Sequence, residues 1–426
     1  MHNVLNGLRI VEGSAFVAAP SGGMTLAQLG ADVIRFDPIG GGIDHRRWPV
    51  TPDGASLYWA GLNKGKRSLQ VDVRSKAGRE LLSELICAPG PGAGIFLTNF
   101  PPVGWMGYEA LRPRRDDLIM VAITGNHDGT TAVDYTVNCA VGYPMITGHA
   151  SNRLDGGEAD PCDDRPVNHV LPAWDVVCGQ TAALGLLAAE RYRSRTGEGQ
   201  LITLALSDVA LGVVTALGHV AEAQVLESER ARIGNDLYGA LGRDFRCADG
   251  RQVIAVAISP KQWQALCTAC EMTDAMADLE AETGLDLARS EGDRFMARRR
   301  IFDVIEDWCA RLTFAEVAET FDRHGVCWGP YQTFRQLVAD DARCSVSNPL
   351  FATVTHPGVG TVLEARSPLR FGGLTLDDPA PAPRLGQHTD EILAECLGLS
   401  SAEIGRLHDE GVIAGPTPES HAAGTH

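Results

Sequence analysis

The sequence predicts an α/β protein in which a large doubly wound domain, built from N- and C-terminal parts, carries an inserted small α+β domain. Three observations lead there. Short apolar runs alternate with helical stretches over 1–215. Over 234–330 the texture changes to charged helices around one hairpin, and strand-forming sequence returns after 331. A chain of 426 residues has room for two or three domains and an ample core.

In order, LRIVEG (8–13) reads as a strand, Met24 to Leu29 as a helix and ADVIRFD (31–37) as a second strand ending in an acid. This β-α-β opening is Rossmann-like. RSLQVDV reads as a strand, AGRELLSELI as a helix, and GIFLTNF and DLIMVAITG as strands. A helix runs from about Val176 to Arg193, TGEGQ turns, and 201–224 begins as strand and continues as helix. Residues 216–233 are the linker to the small domain, whose hairpin DFRCADGRQVIAVAI turns at Ala248-Asp249-Gly250. Residues 331–412 return to the large domain through FATVTHPGVGTVLEA and a helix from Thr389 to Leu397, and 413–426 read as a disordered tail.

Lys and Arg number 37 against 54 Asp and Glu, a formal charge of −17, which disfavours nucleic acid and anionic membrane surfaces as partners. Eleven cysteines, without a secretory segment in MHNVLNGLRIVEGSAF, read as reduced thiols in a cytoplasm. Cys267 and Cys270 have CxxC spacing inside a helical stretch with no second pair nearby, so they read as core residues and not as zinc ligands. The apolar run from Val176 to Ala189 is too short to span a bilayer.

Asp37 at the end of the second strand invites a nicotinamide reading, but GSAFVAAPSGG puts Phe16, Val17 and Pro20 where GxGxxG needs bare backbone. Asp175, in HVLPAWDVVCGQ, opens a long, nearly uncharged helix. It reads as a helix cap or as a desolvated carboxylate nucleophile, two compatible roles. Backbone N–H groups at that helix start are candidate donors to an oxyanion. Lys64, Lys66 and Arg67 form a compact basic turn suited to an anion such as a phosphate, or a solvated turn. Asn99 and Phe100 end a strand on the expected ligand edge of the sheet.

Taken together, GSAFVAAPSGGMTLAQLGADVIRFD, LNKGKRSLQVDV, LTNF, the Asp175 segment, RTGEGQLITLALSD, GVCWGP and LGQHTDEIL resemble, in order and spacing, the class III CoA-transferases. That group includes the formyl-CoA:oxalate and carnitine CoA-transferases, and the resemblance runs to about Gly415. It implies Asp175 as the catalytic aspartate, with CoA contacts at Ala15, Phe16, Val17, Ala18, Lys64, Arg67, Asn99 and Phe100. It also implies an interlocked homodimer and no cofactor beyond the CoA of an acyl-CoA thioester substrate: no metal, no ATP and no nicotinamide. Pro38 stands where the oxalate enzymes carry an arginine, and Trp105 near where another basic residue is expected, so nucleotide contacts would shift to Arg35, Arg46 or Arg47.

VEGSAFVAAPSGGMTLAQLGADVIRFDPIGGG, NHVLPAWD and GNDLYGALGRDF narrow the resemblance to family members that move CoA between the C1 and C4 carboxyls of mesaconate. That activity implies glyoxylate or 3-hydroxypropionate carbon metabolism. Such chemistry needs a closed pocket, for which Phe16, Val17 and Trp105 are candidate walls or ordinary packing. It also needs a partner for the free carboxylate, for which Arg46, Arg47, His45 and Tyr238 are candidates. Tyr135 falls where related acyl-CoA racemases place a proton-abstracting histidine; a phenol titrating near ~10 is a poor base, so Tyr135 is a substrate contact at most. Transfer to another dicarboxylic acid ranks second, and a racemase third.

Overall fold

A computed structural model describes residues 4–148, 165–374 and 377–416. Two compact units divide the chain: Met1–Val141, His169–Val225 and Ala342–His426 form the large one, and Gly142–Asn168 and Leu226–Asp341 the small one.

The large unit is built on strands β1 (Arg9–Gly13), β2 (Asp32–Asp37), β3 (Arg67–Val71), β4 (Ile95–Thr98), β5 (Ile119–Thr124) and β6 (Leu201–Ala205). They are parallel in the order β3-β2-β1-β4-β5-β6, and the order reverses between β1 and β4. At such a switch point two loops leave the carboxyl edge in opposite directions and open a crevice between them. One face carries Val11, Phe36, Leu69, Phe96 and Met120 against Leu82, Leu85 and Ile86 of helix Lys76–Ile86 and Ile392 and Leu393 of helix Thr389–Leu397. Each such side chain removed from water contributes about 2 kcal/mol.

The other face lies beneath helix Ala18–Gln28, which packs on the long helix Ala173–Thr196. Apolar spacing predicts the first helix only from Met24, yet it starts six residues earlier. Pro20 is tolerated in a first turn, and small residues permit a close crossing. A Cβ on Gly22 would stand 2.8 Å from the Gly179 carbonyl, and one on Gly179 would stand 2.0 Å from Ser21 Oγ.

Residues 413–426 are expected as a frayed tail, but β12 (Ile413–Ala414) pairs antiparallel with β3. Thr389 Oγ1 donates to the Ala414 carbonyl, so a side chain anchors this short edge strand. Helix Ser401–Asp409, opened by a Ser400–Glu403 capping box, leads into it. Residues 417–426 lie outside the described residues. The stretch from Phe351 to Ala365 joins no strand of the large sheet; β10 (Phe351–His356) and β11 (Gly360–Ala365) pair with each other.

The small unit holds β7 (Leu241–Arg246), β8 (Gln252–Ala257) and β9 (Cys327–Pro330), an antiparallel sheet whose third strand comes from GVCWGP. Helices such as Glu291–Cys309 and Phe314–His324 close its core around Phe245, Phe302, Trp308 and Phe321. Cys267 and Cys270 are buried there, and burial pushes the Cys267 thiol up to about 12. This unit takes in more chain than 234–330, because Arg232 Nε donates to the Met145 carbonyl and Gly234 N–H to the Gly148 carbonyl.

No single described helix is long and apolar enough to cross a membrane. The ten described cysteines form no disulfide with one another.

Candidate active site

Three loops leave the carboxyl edge of the large sheet beside the switch point. After β1, the backbone of Ala15 is held on both sides by Asn99, at the end of β4: the Ala15 N–H donates to Asn99 Oδ1 at 2.9 Å, and Asn99 Nδ2 donates to the Ala15 carbonyl at 2.7 Å. Phe16 follows with φ 65°, a left-handed conformation that costs a β-carbon-bearing residue of order 1 kcal/mol or more. Its N–H donates to Asp44 Oδ2 at 3.0 Å, which offsets that cost.

Asp44 is buried and shares Arg35 with Asp37. Arg35 and Asp37 therefore form an internal ion-pair cluster, and neither is free to meet a nucleotide. Beside them Lys66 Nζ donates to Glu12 Oε1 at 2.8 Å, to the Pro20 carbonyl and to Asn63 Oδ1. Burial draws Lys66 down to about 8 against the pull of Glu12. Lys66 thus belongs to the floor beneath the 14–20 turn.

Asp175 sits in the first turn of the long helix, whose N-cap is Pro172. Asp175 is therefore not the cap of this helix. Asp134, first residue of helix Asp134–Ala140 after β5, supplies the capping oxygen: its Oδ2 accepts from the N–H of Trp174 at 2.8 Å and of Asp175 at 3.1 Å. One turn further along that helix, Asn138 Oδ1 accepts from Trp174 Nε1 at 3.3 Å. The N–H of Ala173 donates to the Leu171 carbonyl and that of Val176 to the Pro172 carbonyl. Every N–H at this helix start is thereby occupied, and none is left for an oxyanion. By contrast, the Val17, Ala18 and Ala19 N–H groups, which open the first helix, have no acceptor among the described residues.

The Asp175 carboxylate has no hydrogen-bond or ion-pair partner among the described residues. Burial, with the charge of Asp134 added, pushes its acid up to about 6, while Arg47 pulls the other way. Arg47 is exposed, lies over the rings of Phe16 at 5.1 Å and Tyr58 at 4.9 Å, and makes no ion pair among the described residues. Tyr58 stays a neutral phenol, pushed up to about 12 by burial.

The edge therefore brings together Ala15, Phe16, Val17, Ala18, Asn99, Arg47, Tyr135 and Asp175. Tyr135 is 46% exposed, with its hydroxyl 3.5 Å from the Val170 carbonyl. Arg46 is exposed, and His45 packs edge-on to Trp59 with burial lowering its pKa, which makes it a poor partner for a carboxylate. Val17 is buried, while Phe100 and Trp105 are half-buried and pack on the sheet core, so of the three wall candidates Phe16 is the most exposed.

Two CoA-contact candidates lie elsewhere. Lys64 pairs with Glu364, close to where Gln28 at the end of the first helix donates to the Ala365 carbonyl. Arg67 binds Asp32 at the amino end of β2, together with Glu391 and Glu395. Both cations are committed to ion pairs toward the amino edge. Tyr238 is in the small unit, with its ring on Phe295 and the Arg230 guanidinium 3.9 Å from its centroid. No local sequence pattern marks Asp134, Tyr58 or Asp44.

Residues 5–389 match CoA-transferase family III. The chain belongs to that family. It is 55% identical over 98% of its length to the 2-methylfumaryl-CoA isomerase of Chloroflexus aurantiacus, covering 99% of that protein. Against the formyl-CoA:oxalate CoA-transferase of Streptomyces avermitilis the identity is 28%, over 97% of this chain and 100% of the other. Among solved structures, a CaiB/BaiF family protein from Brucella suis superposes with a TM-score of 0.74 at 25% identity, over 93% of this chain and 100% of that one. The large parallel sheet is part of that shared fold.

Proposed function

We propose that this chain catalyses intramolecular CoA transfer, converting 2-methylfumaryl-CoA (mesaconyl-C1-CoA) to 3-methylfumaryl-CoA. The 55% identity to the Chloroflexus isomerase, over nearly the full length of both proteins, carries this reading. The site supports it, because a carboxylate and a guanidinium that have no ion-pair partner among the described residues share one edge, as a thioester with a free carboxylate requires.

Asp175 attacks the thioester carbonyl, and CoA leaves as the thiolate, giving a mixed anhydride. The thiolate then attacks the Asp175 carbonyl, leaving an aspartyl-CoA thioester and the free diacid. The diacid turns end for end, and its other carboxylate repeats the two steps in reverse. Acyl activation is carried as anhydride and thioester throughout, so these steps call for no ATP, metal or nicotinamide. The open N–H groups of Val17, Ala18 and Ala19 are the donors we assign to the tetrahedral oxyanions, each contributing a few kcal/mol. Arg47 is the partner we assign to the free carboxylate, and Phe16 the wall that retains the acid.

A second copy of this chain is the assigned partner. Family resemblance supports it, and so do the exposed Leu201 on edge strand β6 and Leu211 and Leu217 beyond it. Sedimentation equilibrium reads the mass.

The deciding experiment incubates the enzyme with mesaconyl-C1-CoA and isotopically labelled free mesaconate. Unlabelled C4 thioester is expected. Labelled C4 thioester means exchange with solvent acid and an intermolecular transferase, and no conversion overturns the substrate.

A further inference from the structure

Asp134 takes no part in the steps above, yet its placement is costly. It is 3% exposed, and while Oδ2 serves the two N–H groups of the long helix, Oδ1 is buried with no partner among the described residues. Burying a polar oxygen without a hydrogen-bond partner costs free energy. Capping alone does not require a carboxylate, since Ser, Thr or Asn presents the same acceptor oxygen without charge. The grip is also two-point: Asp134 and Asn138, one turn apart, hold the backbone and the ring of Trp174, immediately before Asp175.

We propose that Asp134 is a positioning residue that fixes Asp175 through Trp174 and, by occupying the helix-start N–H groups with its own charge, keeps the Asp175 carboxylate destabilised until it is acylated. The inference rests on Asp175 being the nucleophile. In the first step a bond forms between an Asp175 oxygen and the thioester carbon, the C–S bond breaks, and the electron pair and negative charge leave on the CoA sulfur. In the second, sulfur bonds to the Asp175 carbonyl carbon, the bond from that carbon to the anhydride oxygen breaks, and the charge leaves on the diacid. Asp175 is neutral in both covalent states. Repulsion from Asp134 therefore acts on the resting enzyme and is relieved in each intermediate, which raises the covalent population and speeds attack.

The other groups facing Asp175 do not substitute for this effect. Arg47, from the loop after β2, stabilises the carboxylate; Tyr58, from helix Leu57–Leu62, is neutral, as is Cys178, one turn after Asp175 on the long helix; and Tyr135 is exposed. The first helix, packed against the long helix, carries no titratable side chain.

The test is Asp134→Asn in the full chain, which keeps the acceptor oxygen and the size. The acid limb of kcat/KM is expected to move down by about one pH unit, and the fraction of enzyme trapped as the Asp175–CoA thioester, read by mass after borohydride, to fall about tenfold. The thermal midpoint should hold, whereas Asp134→Ala, which also loses the cap, lowers it. Should Asp134→Asn fail to fold, Asp134→Ser reads the same limb with a smaller neutral cap. A wild-type limb and wild-type adduct in the neutral variant overturn the inference while leaving the nucleophile in place. No adduct at Asp175 in the wild-type enzyme overturns the nucleophile and this inference with it.

Discussion

Two groups of charge meet at the carboxyl edge of the large sheet, and they are built in opposite ways. Arg35 with Asp37 and Asp44, and Lys66 with Glu12, are buried, and each cation is paired. Asp175 and Arg47 are partly open, and neither has an ion-pair partner among the described residues. The first group fixes shape, setting the 14–20 turn through the Phe16 N–H and the Pro20 carbonyl. The second leaves its charges to be satisfied by substrate. Pairing separates the frame from the reacting groups, and it can be tested group by group.

The largest effect is expected for Asp175→Ala, which should lower kcat by on the order of 10⁴-fold or more in a steady-state assay of thioester isomers. Turnover within tenfold of wild type would move Asp175 from the second group to the first. Next is Arg35→Met, which strands Asp37 and Asp44 without their cation. It should cost about 3–5 kcal/mol, read as a drop in the urea midpoint. A loss below about 1 kcal/mol would mean that the buried cluster does not hold the frame.

For Arg47→Gln the two readouts should diverge. Stability is expected to stay within about 0.5 kcal/mol, since the guanidinium is exposed, while KM for the acyl-CoA rises roughly 30-fold through loss of a charged hydrogen-bond partner. Reversed outcomes would make Arg47 part of the frame.

The smallest effect concerns stability at the nucleophile. The Asp175 acid is raised to about 6 from its ordinary 3.8, so folding disfavours the charged form. Below pH ~4 the group is protonated folded or unfolded and contributes nothing; the cost grows as pH rises and is complete above about 6. Asp175→Asn should therefore stabilise the fold by about 1–2 kcal/mol at pH 7.5, discounted from ~3 for partial exposure, and by nothing at pH 4. Equal midpoints at both pH values in calorimetry would show that the carboxylate is not strained.

Much of the fold is legible because its signal is local. Strand and helix alternate with the right periods from β1 to β6, and the Cys267 and Cys270 stretch is helical as its spacing predicts. The departures arise where a distant contact overrides local pattern. The first helix begins at Ala18 because Gly179 admits it, and β12 forms because β3 offers an edge. Residues 142–148 join the small unit through bonds to Arg232 and Gly234, some ninety positions away in the chain.

The candidate site follows the same rule. Asp175 is legible because a carboxylate at a helix start has a local signature. Asp134 is not, since it reaches that helix from 41 residues earlier, and neither is Tyr58. Lys64 and Arg67 read as anion ligands because the sequence displays their charge but not Glu364, Asp32, Glu391 and Glu395, which take it up.

By itself, then, the sequence determined the α/β architecture, the carboxylate at the head of the long helix and the family resemblance, since propensity, periodicity and motif order are carried along the chain. Only the tertiary structure decided which charges are spent on one another and which stay open at the crevice. Ion pairing depends on distances of a few ångströms between residues far apart in sequence, and those distances exist only once the sheet, its switch point and the two crossed helices are in place.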